Sequence, residues 1–256
     1  MHTNNTINFF GSFRPYLEFY SAPNSQRIIN MIPTIVLGTT PIPNDGGELK
    51  LTQRDNEFSI SLIGVNGDLM SSRMYSSEVA LAELGCAHLQ EVEESRVLVG
   101  GLGMGFTLAA ALNATSKSAE VTVAELVPGV VEWNKGPLGE CAGRPLNDPR
   151  TRVYLGDVAE LFLPQQPQYD AILLDVDNGP EAFTHDDNGE LYSMASLHSI
   201  RERLRPNGVL GVWSAWHDPR FTKRLKKAGF AASFQTVRAH KGKGSKHTIY
   251  LAKMKT

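Results

Sequence analysis

Hydrophobic positions along the chain follow two rhythms, one after the other. Between Gly47 and Gly67 they alternate with polar residues: Leu49 and Leu51, then Phe58, Ile60 and Leu62, with Asp55-Asn56 between the two runs and Asn66-Gly67 after them. Alternation at period two marks strands with one buried face, and the Asx and Gly pairs mark turns. Residues 31–75 therefore read as a small antiparallel β-module, opened by Ile32-Pro33-Thr34-Ile35-Val36-Leu37-Gly38. Ser76-Ser77-Glu78 then precedes Val79, Leu81, Ala82, Leu84 and Gly85, a helical pattern. Module and linking helix together span 31–90.

After Arg96 the rhythm becomes strand, turn and helix, repeated. The strands predicted are Arg96–Gly100, Val121–Glu125, Arg152–Leu155, Ala171–Asp175 and Val209–Trp213, with helices beginning near Gly105, Pro128, Val158, Leu191 and Pro219. Asp218-Pro219 pairs an N-cap residue with proline at the first helical position. Such alternation predicts a parallel sheet covered by helices on both faces. The chain closes differently: Ala231–Val237 and His247–Ala252 read as an antiparallel hairpin joined by the basic loop Arg238–Lys246. The expected fold is thus α/β, a doubly wound Rossmann-like sheet of seven strands over residues 91–256, preceded by the β-module.

Residues 1–30 show no period. Two readings stand: an extension upstream of a start at Met31, or an arm packing on a neighbour through Phe9, Phe10, Phe13, Tyr16 and Phe19. The 256 residues are 41% hydrophobic and 20% charged, so a full core is expected. A net charge of −2 argues against bulk binding to nucleic acid or to an anionic membrane. No apolar run approaches the roughly 20 residues of a membrane helix, and no basic-then-apolar leader opens the chain. Cys86 and Cys141 are the only cysteines, outside any Cys-x-x-Cys pair. A reducing compartment fits, and cytoplasm is the expected location.

The candidate chemistry begins at Val97-Leu98-Val99-Gly100-Gly101-Leu102-Gly103-Met104-Gly105, a buried strand entering a glycine-rich turn. Gly101, Gly103 and Gly105 allow close backbone approach to a ligand, and the helix that follows presents free N–H groups. About 20 residues on, Glu125 ends the second strand, where a carboxylate can accept both hydroxyls of an adenosine ribose. At this point an NAD site and an S-adenosylmethionine site remain equally open. Gly156-Asp157 closes the third strand, Asp175 the fourth, and Leu204-Arg205-Pro206-Asn207-Gly208 leads into the fifth. Glu125, Asp157 and Asp175 should share the carboxyl edge of one sheet, where open α/β sheets bind ligands. Asp157 is placed to accept the adenine amino group.

This combination is similar to the class I S-adenosylmethionine-dependent transferases. Together with Asn147-Asp148-Pro149-Arg150, Asp175-Val176-Asp177-Asn178-Gly179-Pro180 and the leading β-module, it resembles the spermidine synthase family of aminopropyltransferases over roughly residues 47–215. The resemblance implies that Asp175 acts as base on an attacking amine, with Asp177 as the second acid of that loop. It also implies a cofactor site of Gly101, Gly103, Met104, Gly105, Glu125, Asp157 and Asp175. The chain departs from the family in the glycine turn. There, an acid receives the amine of decarboxylated S-adenosylmethionine; here Met104 stands in its place. A methionine does not repel the carboxylate of ordinary S-adenosylmethionine, so the undecarboxylated form is slightly favoured over the decarboxylated one. The family's Tyr-Gln-Glu segment is matched only by Tyr75-Ser76-Ser77-Glu78, with one extra residue.

The expected reaction is displacement at a sulfonium-bound carbon, moving a methyl or aminopropyl group to a small amine. Tyr75, Glu78 and Trp216 are the acceptor-site candidates; Trp213 fits a core position equally well, and His217 a surface one. A catalytically inactive adenosyl-binding protein is an alternative from another class. A nucleic-acid methyltransferase would rest on the basic segment Arg238–His247 alone, which lacks interleaved aromatics. No metal is expected, since no His, Asp or Glu cluster has ligand spacing. A homodimer is allowed, with no motif of its own.

Overall fold

The computed structural model describes residues 32–176, 190–240 and 243–254. Its first element, β1 (Ile35–Pro41), pairs antiparallel with β2 (Glu48–Arg54). β2 turns at Asp55-Asn56 into β3 (Glu57–Leu62), which takes on the short β4 (Met70–Ser71). The Leu51↔Ile60 cross-strand pair lies on the inward face, 1% and 0% exposed. That face joins the same hydrophobic cluster as Val97, Val99 and Leu173, so the small sheet is fastened to the large one by shared core. Helix α1 (Ser76–Gly85) follows, burying Leu81 and Ala82.

The large sheet is built by β5 (Arg96–Gly100), α2 (Phe106–Asn113), β6 (Glu120–Glu125), α3 (Pro128–Lys135), β7 (Thr151–Leu155) and β8 (Tyr169–Leu174). It is completed by α4 (Met194–Glu202), β9 (Leu204–Ser214), α5 (Pro219–Lys227), β10 (Phe230–His240) and β11 (Lys243–Met254). Strand order is β10-β11-β9-β8-β5-β6-β7. β5 pairs parallel with β6 and β8, β6 with β7, and β8 with β9; β11 returns antiparallel between β9 and β10. The expected α/β fold with its closing hairpin and leading β-module is the one observed.

Parallel strands buried on both faces explain the uninterrupted apolar run of β5. Val97 and Val99 point into one core, with α1, α2, α3 and the small sheet. Leu98 points into the other, with α4 and α5 supplying Leu197, Ile200, Phe221 and Leu225. One difference from the sequence reading lies in the closing hairpin. Its ladder continues through Arg238↔Lys246 to His240↔Lys243, so most of the expected basic loop is strand. Charged residues at an edge pair still donate and accept backbone hydrogen bonds, and their side chains need only reach solvent.

At the opposite, amino edge of the sheet the motifs are structural. The Arg150 guanidinium donates to the carbonyls of Leu112 and Ser116, each at 2.9 Å, and pairs with Asp148 at 2.8 Å. It thereby ties the end of α2 to the start of β7. Asp170 accepts from the Arg96 N–H at 2.7 Å and from Arg205 at 2.8 Å, joining β5, β8 and β9.

Candidate functional site

The carboxyl ends of the strands open on a cleft of about 1010 Å³, bounded by the small sheet and α1 on the far side. Its floor follows the strand order: Asp157 after β7, Glu125 on β6, the glycine turn after β5, Asp175 after β8, Trp213 on β9 and His247 on β11. The antiparallel return of β11 places the start of that strand at the same edge, with Thr248 opposite Ser214.

Gly101 sits at φ 89°, and a Cβ there would lie 2.3 Å from the Asp175 carbonyl oxygen. No other residue fits, because the backbone after β5 must pass directly beside the backbone after β8. Gly105, at φ 86°, caps α2 in the left-handed conformation. Between them Gly103 lines the cleft, and its carbonyl accepts the Asn134 amide at 2.8 Å. Asn134, which sequence reasoning missed, is 2% exposed and also donates to Val130 of its own helix, so it braces the glycine turn against α3. Met104 is 4% exposed and belongs to the core while touching the cleft.

Glu125 is nearly buried. Its Oε2 accepts the Leu102 N–H at 2.9 Å and its Oε1 the Val127 N–H at 2.8 Å. Glu125 also lines the cleft. Asp157 is exposed at the cleft rim, and its Oδ1 caps the short helix Val158–Phe162 through the Ala159 N–H at 2.8 Å. Asp175 is half-buried, and its Oδ2 accepts a short hydrogen bond from the Thr107 hydroxyl of α2. Asp177 lies outside the described residues.

Of the acceptor-side candidates, Glu78 lines the cleft. Burial raises its carboxyl above the ordinary carboxylate range, against the lowering effect of a 2.5 Å hydrogen bond from Ser77. Tyr75 stands before α1 and stacks on Phe106, ring centroids 4.6 Å apart; Phe106 lines the cleft and Tyr75 itself does not. Trp216 is 58% exposed and also outside the lining, whereas Trp213 is within it. Beside Trp213 stands His247, ring centroids 4.8 Å apart and edge-on. Burial pushes this imidazole below the usual histidine range. Neither Thr107, Ser77 nor His247 carries a sequence signal of its own; the register of the returning strand is what would have placed His247. Among the described residues no cluster of three His, Cys, Asp or Glu is arranged to hold a metal ion, and no helix is long and apolar enough to cross a membrane.

No protein-family model matches the sequence, and no curated protein does either. Solved structures do match the fold. A spermidine synthase crystallised in complex with the transition-state analogue AdoDATO aligns at a TM-score of 0.65 and 16% identity, over 86% of this chain and 72% of that one. A spermidine synthase from Thermotoga maritima aligns at 0.65 and 16%, over 86% and 73%. The chain has a spermidine synthase-like fold.

Proposed function

We propose that the chain is a group transferase that binds S-adenosylmethionine, or its decarboxylated form, over β5, β6 and β7. On this reading it alkylates a small amine over β8, β9 and β11. The observation that carries it is the line of Asp157, Glu125 and Asp175 flanking the glycine turn along one sheet edge. The likeness in fold to a spermidine synthase complexed with AdoDATO supports it.

The residues fit an adenosyl group. The cleft volume of about 1010 Å³ exceeds what one nucleoside needs and leaves room for an acceptor. Glu125, held by two backbone donors, lines the cleft beside the glycine turn and is the carboxylate for the ribose hydroxyls. When bound, S-adenosylmethionine supplies a carbon activated by a sulfonium leaving group. The chain's own work is then to hold, align and deprotonate the acceptor. Asp175 attracts the cationic amine and takes its proton, with Thr107 fixing the carboxylate's orientation. Met104 places an apolar side chain in the glycine turn, which favours the cofactor form that keeps its own carboxylate.

The test is to incubate the chain with each cofactor form and a panel of mono- and diamines and to weigh the products. Methylated or aminopropylated amine identifies the group moved. Binding of either form without any product over the panel would support the inactive adenosyl-binding alternative instead, and binding of neither form would remove the reading.

A further inference from the structure

Four side chains form an unbroken hydrogen-bonded row along the wall of the cleft. The Ser77 hydroxyl donates to Glu78 Oε2 at 2.5 Å, Ser77 Oγ lies 2.9 Å from His247 Nδ1, and His247 Nε2 lies 3.0 Å from Ser245 Oγ. Ser77 is fully buried and Ser245 is exposed, so the row runs from the acceptor side of the cleft to solvent. It joins the first turn of α1 to β11. Trp213 packs edge-on against the imidazole, ring centroids 4.8 Å apart.

We propose that Glu78, Ser77, His247 and Ser245 are a proton relay that carries to solvent the proton released by the acceptor amine. The proposal rests on the transfer reading above. With Glu78 ionised, every donor points toward it: Ser245 O–H to Nε2, Nδ1–H to Ser77 Oγ, Ser77 O–H to Oε2. Water in the cleft, which His247 lines, takes the Nδ1 proton and returns one at Nε2; a proton taken up by Glu78 then passes to Ser77 Oγ, whose own hydrogen moves to Nδ1. The imidazolium then gives the Nε2 proton through Ser245 to water, and the row returns to its starting state with one proton moved. Every member is both donor and acceptor across that cycle.

The surroundings favour passage over trapping. Burial raises the Glu78 carboxyl and lowers the His247 imidazole, which brings the two groups' proton affinities together. Around His247, β10 contributes its ladder partner Val237, with Arg238 and Lys246 the next pair toward the tip, where Arg238 bonds the Gly244 carbonyl. From β9 it meets Trp213 and Ser214, and from α1 Ser77 and Glu78. The Thr107 hydroxyl donates to Asp175 and lies 3.5 Å from the main-chain carbonyl of Glu78, which packs α2 against the first turn of α1. Glu78 and Asp175 line the same cleft, so the proton that Asp175 takes from the amine has a second carboxylate there to pass to.

The full-length chain tests this with an amine that the wild type alkylates. In His247→Gln, a first turnover should proceed, because Glu78 stores one proton, and steady-state turnover should then fall about 10²-fold. His247→Ala should recover with added imidazole and not with pyrazole, a ring of equal size that takes up no proton at neutral pH. Equal loss of first and later turnovers without rescue would assign His247 a structural part and overturn the relay, as would an unchanged steady rate. A wild type that alkylates no amine defeats the transfer reading instead. Nitrogen-15 NMR of the unliganded chain then judges the row separately. A neutral His247 protonated at Nδ1, shifting to Nε2 in Ser77→Ala, is expected; an Nε2-protonated ring indifferent to Ser77→Ala refutes the row.

Discussion

Replacing Glu125 with alanine removes two acceptors at once. The carboxylate takes the Leu102 N–H of the glycine turn and the Val127 N–H ahead of α3, at 2.9 and 2.8 Å, from a side chain only 8% exposed. Each hydrogen bond to a charged group contributes about 1.5–3 kcal/mol, so the pair is worth at most about 3–6 kcal/mol. The cleft lies alongside, and water entering the vacated space would restore part of that, leaving an expected destabilisation of about 2–4 kcal/mol. Glu125→Gln keeps one carbonyl oxygen but turns an amide N–H toward the second donor, and should lose about half as much. Denaturant unfolding of the three proteins checks this, read as shifts in midpoint at constant slope. An alanine variant that unfolds at the wild-type midpoint, or a glutamine variant as labile as alanine, would refute the reasoning. The result also governs how cofactor binding is measured. Glu125→Ala confounds a loosened turn with a lost ribose contact, so affinity is better compared in Glu125→Gln at equal folded fraction.

Asp175→Asn keeps the side chain's shape and removes the base; turnover should fall about 10²–10⁴-fold while cofactor affinity, read by calorimetry, stays near wild type. Met104→Asp should shift the ratio of affinities toward decarboxylated S-adenosylmethionine. A wild-type preference for the decarboxylated form would show that Met104 does not select the carboxylated one. Arg150→Ala should cost about 2–4 kcal/mol, because it releases the Leu112 and Ser116 carbonyls together with Asp148. The Arg150 guanidinium holds the Asp148 carboxyl below the ordinary carboxylate range. A depressed folded pKa stabilises the protein above the unfolded value, and that part is lost as pH falls through the folded one. The stability gap between wild type and Arg150→Ala, measured by denaturant at neutral and acid pH, should therefore narrow on acidification.

The large sheet was legible because local signals agreed: an apolar run, a glycine turn and a helix start occur in order at β5, and again with proline at α3 and α5. Acids at strand ends followed from the same boundaries, which is why Glu125, Asp157 and Asp175 share the cleft. The wall built from α1 and β11 was less legible. Ser77 and His247 are 170 residues apart, and their contact depends on β11 entering antiparallel beside β9, a register that no local pattern specifies. The same register decides between the tryptophans: Trp213 is paired within β9 opposite Ile249, and Trp216 lies past its end. Asn147-Asp148-Pro149-Arg150 shows the reverse. A motif that supported the family resemblance works at the amino edge as a staple, on the side of the sheet away from the chemistry.

The place of β11 has a consequence in time. It follows β10 in sequence, yet it lies inside the sheet, between β9 and β10. During synthesis β9 emerges with one flank open, β10 cannot take that flank in the native order, and only β11 fills it. Pairings of this kind close long loops and form late. The β5–β8 half can assemble before β11 has been made, but the wall bearing His247 cannot. A nascent chain would assemble the part of the cleft that carries Glu125 and Asp175 before the wall that carries Trp213 and His247.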